Sequence, residues 1–279
     1  QEFYKERLTR HGLEVLIPND ADRGTTHCII YDELCKGVVT DASRTAYIEI
    51  AERLKAQGAD CLILGCTEVG MAVVASDTFN RRNQGVSTDE SITAWLDIAK
   101  AAHSAGIRAQ VTVSAAFGCP FEGEMPAARV VEVARRCAEA EPFEIALADT
   151  IGVGVPAQVT ELVPAVRAVI PGTTRLRAHF HNTRNTGLAN AYAAVQAGVT
   201  TLDASAGGIG GCPFAPAATG NIPTEDLVYM LKRSGFETGI DLDALIATGK
   251  WLQETLGRPV PGMLVKAGNF PRPQASQAV

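Results

Sequence analysis

Short apolar runs rich in β-branched residues alternate with helical patterns along most of this 279-residue chain. Such alternation is typical of repeated βα units, which favour a sheet of parallel strands. The pattern predicts seven strands, at Leu13–Ile17, Cys61–Leu64, Val73–Ala75, Arg108–Val113, Phe143–Leu147, Arg175–Phe180 and Thr200–Asp203. The predicted fold class is therefore α/β with mostly parallel strands.

Capping residues mark where the intervening helices begin and end. Ser87 and Glu90 have the spacing of a capping box, and Gly106 suits the position just after the helix that they start. Four more helices are predicted to begin at a first-turn proline or an N-cap residue, namely Pro126, Pro156, Thr224 and Asp241.

One place breaks this alternation. The predicted strands Cys61–Leu64 and Val73–Ala75 are only about eight residues apart, whereas a parallel crossover needs about a dozen or more. A hairpin, a strand of a different sheet, or a junction at which sequence has been lost would each explain the short connection.

Charge and composition exclude several classes of function. The net charge is −6, the pI is near 5.4, and there is no basic run, so nucleic acid and anionic membranes are not expected partners. No apolar run approaches the roughly 18 residues of a membrane span, and no signal-peptide pattern is present. Seven cysteines without CxxC pairs indicate neither a disulfide framework nor a zinc ribbon. We expect a cytoplasmic protein.

Two histidines end the sixth predicted strand. His179 and His181 are two residues apart, so in a strand both imidazoles point to the same face and can reach one metal ion. An isolated HxH pair on a strand is more often structural than metal-binding, and further ligands must come from elsewhere in the chain.

The segment from about residue 73 to 273 resembles 3-hydroxy-3-methylglutaryl-CoA (HMG-CoA) lyase, a (β/α)₈ barrel enzyme. The motifs that carry this resemblance occur in the family's order: "ASDTFNRRN", "SAAFGCPFEG", "ADTIGVG", "HFHNTRNTGLAN" and "GGIGGCPFAPAATGN". Related Claisen-type synthases share the HxH strand, whereas the cysteine in the last motif points to the lyase. The resemblance implies five βα units of a TIM-type barrel with chemistry at the carboxyl ends of the strands.

The resemblance also implies the roles of individual residues. His179, His181 and Asn221 would bind Mg²⁺ or Mn²⁺, a choice compatible with a nitrogen and oxygen ligand set. The substrate would be a 3-hydroxyacyl-CoA, cleaved to acetyl-CoA and a keto acid such as acetoacetate. Cys212 would be the acid that protonates the acetyl-CoA enolate. Asp149 is a candidate catalytic residue, although it equally fits a brace at the end of the barrel.

The family takes an acidic metal ligand and an adjacent arginine from the end of its first strand. No comparable Arg-Asp segment occurs upstream of Val73, and "DADRG" at 20–24 has the reversed order in a different context. The lyase's first three strands are therefore expected to be absent.

Residues 1–72 resemble a different family, the C-terminal half of an aspartate/glutamate racemase. The resemblance rests on "GLEVLIPND", "IIYDELCKGVVT" and "AERLKAQGADCLILGCTEVGM". It implies a flavodoxin-like βα fragment in which Cys66 is one thiol of a two-base pair, assisted by Thr67 and Glu68. The partner thiol belongs to a half of the family that this segment does not contain.

Together the two resemblances predict a fusion, with a racemase-like fragment at 1–72, a partial barrel at 73–273 and a disordered tail at 274–279. Three hypotheses follow: a metal-dependent carbon–carbon lyase, which would be inactive if it needs the first-strand Arg-Asp pair; a non-catalytic scaffold; and amino-acid racemization through Cys66. Unpaired edges of an open barrel also favour association into a homo-oligomer.

Overall fold

The computed structural model describes residue 9 and residues 14–33, 40–59, 72–210 and 220–271. Two compact units divide the chain. One comprises Gln1–Met71 with Arg81–Val86, and the other comprises Ala72–Asn80 with Ser87–Val279.

Helical segments make up most of the described part of the first unit. Helix α1 (Asp20–Cys28) leads into a π-helical turn (Ile29–Glu33), and α2 (Asp41–Ala56) follows. The guanidinium group of Arg53 on α2 joins the two helices, since its Nε lies 3.0 Å from the Asp22 carboxylate.

The predicted strand Leu13–Ile17 is wrong, because its described residues, 14–17, belong to no helix or strand. A strand needs a neighbour for its backbone groups, and the described residues of this unit offer none. They do not show the flavodoxin-like βα arrangement. The predicted strand Cys61–Leu64 lies outside the described residues.

A parallel sheet of five strands organises the second unit. Its strands are β1 (Ala72–Val74), β2 (Gln110–Ser114), β5 (Glu144–Asp149), β6 (Arg175–Phe180) and β7 (Thr201–Asp203), in the spatial order β1-β2-β5-β6-β7. A small antiparallel pair, β3 (Gly118–Cys119) with β4 (Gly123–Glu124), lies apart from this sheet. Chain order equals spatial order in the main sheet, as expected for successive βα units of a TIM-type fold.

Helices connect these strands and continue after them. They are α3 (Asp77–Gln84), α4 (Thr88–Ser104), α5 (Ala127–Cys137), α6 (Pro156–Arg167), α7 (Gly187–Gln196), α8 (Thr224–Arg233), α9 (Leu242–Leu256) and α10 (Leu264–Ala267). The confirmed boundaries include the capping box of Ser87 and Glu90 and the Asp241 cap of α9. Thr224 is the first residue of α8 and makes no side-chain cap, because Pro223 occupies the N-cap position.

The strands differ in what their two faces contact. All six residues of β5 are buried, so this central strand is covered on both faces, with four apolar residues between the carboxylates of Glu144 and Asp149. On β6 the residues alternate, and Arg175, Arg177 and His179 point to the less buried face. This face therefore carries the polar residues from which the candidate site is built.

Helices α4 and α5 are joined by a buried hydrogen bond. The indole of Trp95 on α4 is 1% exposed, and its Nε1 donates to the Cys137 carbonyl at the end of α5, 2.9 Å away. In the part of the chain that the structure describes, no helix is long and apolar enough to cross a membrane.

Candidate metal site

The two histidines of the HxH pair lie together at the carboxyl end of β6. Their ring centroids are 5.1 Å apart, with His181 6% exposed and the side chain of His179 29% exposed. His181 forms an antiparallel bridge with Asn221, supported by the Asn182 N–H, which donates to the Gly220 carbonyl at 3.1 Å. The backbone thus brings all three predicted ligands to one end of the sheet.

The Asn221 amide is held in one orientation. Its Nδ2 donates to the Ile209 carbonyl at 3.0 Å, and its Oδ1 is buried without a hydrogen-bond partner. A Cβ atom at Gly210 would approach Nδ2 to 2.8 Å, and Gly210 has φ +102°, so only glycine suits this close contact. The amide therefore offers its oxygen, the atom that a hard cation prefers.

His181 is poised as a neutral ligand. The pKa of His181 is lowered to about 4, mainly by burial and also by the neighbouring His179, while the hydrogen bond with the Thr150 backbone counteracts part of this. Its Nδ1 is buried and has no hydrogen-bond partner. Near neutral pH the ring is uncharged, so it has a nitrogen lone pair available for a metal ion.

These free atoms fit a divalent cation. A buried amide oxygen and a buried imidazole nitrogen without partners are costly unless something binds them. Among the described residues, however, no group of three or more His, Cys, Asp and Glu side chains could hold a metal ion. The ligands that the structure brings together are therefore two imidazoles and one amide, without a carboxylate.

Next to the HxH pair lies a network of charges that the sequence did not indicate. The Asp203 carboxylate lies 3.4 Å from Nδ1 of His179 and 3.2 Å from a guanidinium nitrogen of Arg177. Nε of Arg177 is 3.1 Å from Oε1 of the buried Glu144. Burial acts to raise the pKa of Asp203, but the hydrogen bond with His179 and the charge of Arg177 hold it below its ordinary value.

Asp149, predicted as a catalytic or bracing residue, binds the loop that follows its own strand. Its two carboxylate oxygens accept hydrogen bonds from the N–H groups of Val153 and Gly154, each at 2.9 Å, and the residue is fully buried. Burial raises the pKa of Asp149, while these two N–H groups act in the opposite direction. The glycine-rich loop after β5 thus lies close to the carboxylate of Asp149.

A second buried carboxylate, that of Glu225, binds the turn that precedes Ile209. Glu225, in the first turn of α8, is fully buried; its Oε2 accepts from the Gly207 N–H at 2.9 Å, and its Oε1 has no partner. Burial raises the pKa of Glu225, and the Gly207 N–H counteracts part of this. Gly207 belongs to the turn that precedes Ile209, the residue whose carbonyl holds the Asn221 amide.

The remaining predicted site residues, Cys212, Cys66, Thr67 and Glu68, lie outside the described residues. Cys119, the cysteine of the motif "SAAFGCPFEG", is buried, with its Sγ 3.0 Å from Oγ of Ser76.

Known proteins similar to this chain are lyases that act on acyl-CoA substrates, by their names. The chain is 47% identical over 204 residues to a (R)-citramalyl-CoA lyase of Chloroflexus aurantiacus, an alignment that covers 73% of this chain and 64% of the relative. It is 40% identical over 197 residues to a hydroxymethylglutaryl-CoA lyase of Bacillus subtilis, covering 71% of this chain and 66% of the relative.

Solved structures of HMG-CoA lyases also match this chain. An HMG-CoA lyase from Acinetobacter baumannii, in complex with coenzyme A and 3-methylmalate, matches with a TM-score of 0.67 and 40% identity, covering 72% of this chain and 67% of that one. The Bacillus subtilis HMG-CoA lyase matches with a TM-score of 0.66 and 39% identity, covering 70% and 65%. Both matches support the TIM-type fold of the second unit.

A family model described as HMGL-like matches residues 27–252. This range begins inside residues 1–72, the segment interpreted as a racemase fragment, and continues across the boundary with the partial barrel at residue 73. The interpretation of the chain as a fusion of a racemase with a lyase is therefore wrong. The roles of Cys66, Thr67 and Glu68 were implied only by the racemase resemblance and lose their basis with it. Short motifs such as "GCTE" after an apolar strand were too little to identify a family.

The chain spans 64% of the length of the citramalyl-CoA lyase that it matches. The family match nevertheless covers most of the chain and includes all three predicted metal ligands. The chain therefore belongs to the HMGL-like family.

Proposed function

We propose that this chain provides the metal-binding part of a divalent-cation-dependent lyase that cleaves a 3-hydroxyacyl-CoA into acetyl-CoA and a keto acid. One observation carries the proposal: the buried Oδ1 of Asn221 and the buried Nδ1 of His181 have no hydrogen-bond partners, on residues that the backbone pairs directly. Family membership supplies the type of reaction, and the donor atoms fit Mg²⁺ or Mn²⁺.

The proposed roles follow from the donor atoms and the resemblance. His179, His181 and Asn221 would hold the ion, which when bound polarises the hydroxyl and carbonyl groups of the substrate. Asp149 keeps the 152–154 loop against the end of β5 through two backbone hydrogen bonds. Cys212 would donate the proton that converts the acetyl-CoA enolate to acetyl-CoA.

Two substrates are candidates. Cleavage of HMG-CoA gives acetoacetate and acetyl-CoA, whereas cleavage of citramalyl-CoA gives pyruvate and acetyl-CoA. The sequence motifs favour HMG-CoA, but the identity of 47% to the citramalyl-CoA lyase exceeds the 40% to the Bacillus subtilis HMG-CoA lyase. Enzyme-coupled detection of acetoacetate and of pyruvate, with each thioester in turn, separates the two.

A second candidate function is a metal-binding scaffold without turnover. It is favoured by the missing acidic ligand: the described residues contain no cluster of three or more His, Cys, Asp and Glu side chains suited to a metal. This candidate predicts binding of Mn²⁺ with no release of acetyl-CoA from either thioester.

Mn²⁺ binding, measured by electron paramagnetic resonance, tests the site before any activity is measured. We expect His179→Ala and His181→Ala to weaken binding and Asn221→Ala to do the same. His103→Ala, on the exposed face of α4, is the matched control and should bind as the parent chain does. A parent chain that binds no Mn²⁺, or variants that bind as well as the parent, would show that these residues are not a metal site.

A thermal melt gives an independent measure of the same binding. An ion that binds only the folded chain, at about 100 times its dissociation constant, adds about 2.7 kcal/mol to the free energy of unfolding. The melting temperature should rise with Mn²⁺ in the parent chain and in His103→Ala, and not in His181→Ala.

A further inference from the structure

Asp203 and His179 face each other across the boundary between β7 and β6. They are paired residues in the parallel register of these strands, and Oδ2 of Asp203 lies 3.4 Å from Nδ1 of His179. Side chains at paired positions project from the same face of a sheet. The contact is therefore fixed by strand register and does not depend on a flexible loop.

The carboxylate of Asp203 is itself held in place. A guanidinium nitrogen of Arg177 lies 3.2 Å from Oδ2 and 3.3 Å from Oδ1, and the same guanidinium group contacts Glu144, whose side chain is 7% exposed. Arg177 and His179 are two residues apart on β6, so both project toward the face that carries Asp203. Asp203 thus bridges an arginine and a histidine.

A carboxylate at this place selects one form of the imidazole. A neutral histidine carries a single N–H, on Nδ1 or on Nε2, and an ionised carboxylate only accepts hydrogen bonds. Asp203 therefore favours the form with hydrogen on Nδ1, which leaves the lone pair on Nε2. Histidines that bind metal ions commonly donate their second ring N–H to a carboxylate in this way.

We propose that Asp203 is a positioning residue for His179, one that fixes the Nδ1–H tautomer and turns Nε2 toward the site shared with His181 and Asn221. Asp203 does not contact the ion or the substrate. The role of this tautomer in metal binding rests on the proposed function. The tautomer itself is a property of the metal-free chain. The two can therefore be tested separately.

Long-range ¹H–¹⁵N NMR of the metal-free chain, labelled at histidine and kept in alkaline buffer, reports the tautomer directly. We expect His179 to be the Nδ1–H form in the parent chain and to shift toward Nε2–H in Asp203→Ala. Asp203→Asn keeps an amide oxygen that can accept from Nδ1 and should retain the parent tautomer. Since Asn has nearly the same shape as Asp, this variant also guards against loss of folding.

Glu144→Gln is the matched control, because Glu144 contacts Arg177 without contacting His179. It alters the same charge network and should leave the His179 tautomer unchanged. A parent chain with the Nε2–H form, an Asp203→Ala variant with the parent tautomer, or an equal shift in Glu144→Gln would each overturn the proposal.

Measurements of Mn²⁺ binding then test whether the Nδ1–H tautomer of His179 increases the affinity for the metal ion. Loss of such a hydrogen-bonding partner commonly lowers metal affinity about 10- to 100-fold, which we expect for Asp203→Ala, with recovery in Asp203→Asn. If the parent chain binds no Mn²⁺, the proposed function fails while the NMR result still decides the tautomer. If the parent binds Mn²⁺ and Asp203→Ala binds it equally well, the positioning role fails while the metal site stands.

Discussion

A Cβ atom at Gly262 would lie 1.9 Å from Oε1 of Glu225, so the buried carboxylate fills the space that any side chain at position 262 would need. The same two residues hold Gly207 from both sides. The Gly207 N–H donates to Oε2 of Glu225 at 2.9 Å, and the Gly262 N–H donates to the Gly207 carbonyl at 3.1 Å. Gly262 and Glu225 thereby fasten the turn that leads to Ile209 and the Asn221 amide.

Replacing Gly262 with alanine should destabilise the chain, because the new methyl group overlaps the fully buried carboxylate of Glu225. Overpacking of this kind typically costs about 1–3 kcal/mol, measured here by urea denaturation. Gly172→Ala is the control, since a Cβ atom at Gly172 meets nothing within 4 Å. Equal stability of the two variants would mean that Glu225 can leave its position without cost.

Glu225→Gln should change how stability depends on pH. Burial raises the pKa of Glu225 above its ordinary 4.5, so the native chain holds this proton more tightly than the unfolded chain does. The stabilising contribution of the protonated group is complete below 4.5 and is lost as pH rises through the native pKa. Glutamine cannot ionise, so the variant should gain stability relative to the parent as pH rises across that window.

Denaturation of the metal-free chain at a series of pH values measures this difference. Glu161→Gln, on the exposed side of α6, should follow the parent curve. If Glu225→Gln also runs parallel to the parent at every pH, the carboxyl group does not titrate differently in the native chain.

Asp149→Asn tests whether Asp149 acts mainly by holding its loop. Both carboxylate oxygens accept backbone N–H groups, but an asparagine offers only one acceptor and turns its NH₂ group against the other N–H. We expect a loss of about 1–3 kcal/mol in stability, with faster amide hydrogen exchange at Val153 and Gly154. Asp97→Asn, on an exposed position of α4, is the control. Unchanged exchange at both amides would contradict the bracing role.

Cys212→Ser tests the proposed proton donor. Because serine is a far weaker acid than cysteine, turnover should fall by about 10²- to 10⁴-fold, while Mn²⁺ binding stays as in the parent. The readouts are acetyl-CoA release and the incorporation of deuterium into acetyl-CoA from D₂O. Cys28→Ser, at an exposed thiol, should change neither. A Cys212→Ser variant that exchanges deuterium at the parent rate would rule out this role.

The sequence predicted the local features of the second unit well. The bounds of β6 match the prediction residue for residue, because an alternating pattern and two histidines mark this strand. The capping box at Ser87 depends on neighbouring residues and was likewise found. His179, His181 and Asn221 were predicted from motifs, and the structure places them at one end of the sheet, although their role as ligands remains a prediction.

Contacts between distant parts of the chain could not be predicted in this way. In the sequence Asp203 resembles an ordinary polar residue at the end of a strand, and its contact with His179 depends on the register of two strands. Glu225 resembles an acidic residue in the first turn of a helix, where such residues favour the helix dipole. Only the folded chain shows that Glu225 is fully buried against Gly262.

The bridge between His181 and Asn221 has one more consequence. These residues are far apart in the chain, and the conformational entropy of closing the intervening segment is lost when the protein folds, before any ion arrives. An ion entering the site would therefore meet His181 and Asn221 with their backbones already paired. Calorimetry should therefore show only a small change in heat capacity on Mn²⁺ binding, the signature of a rigid receptor.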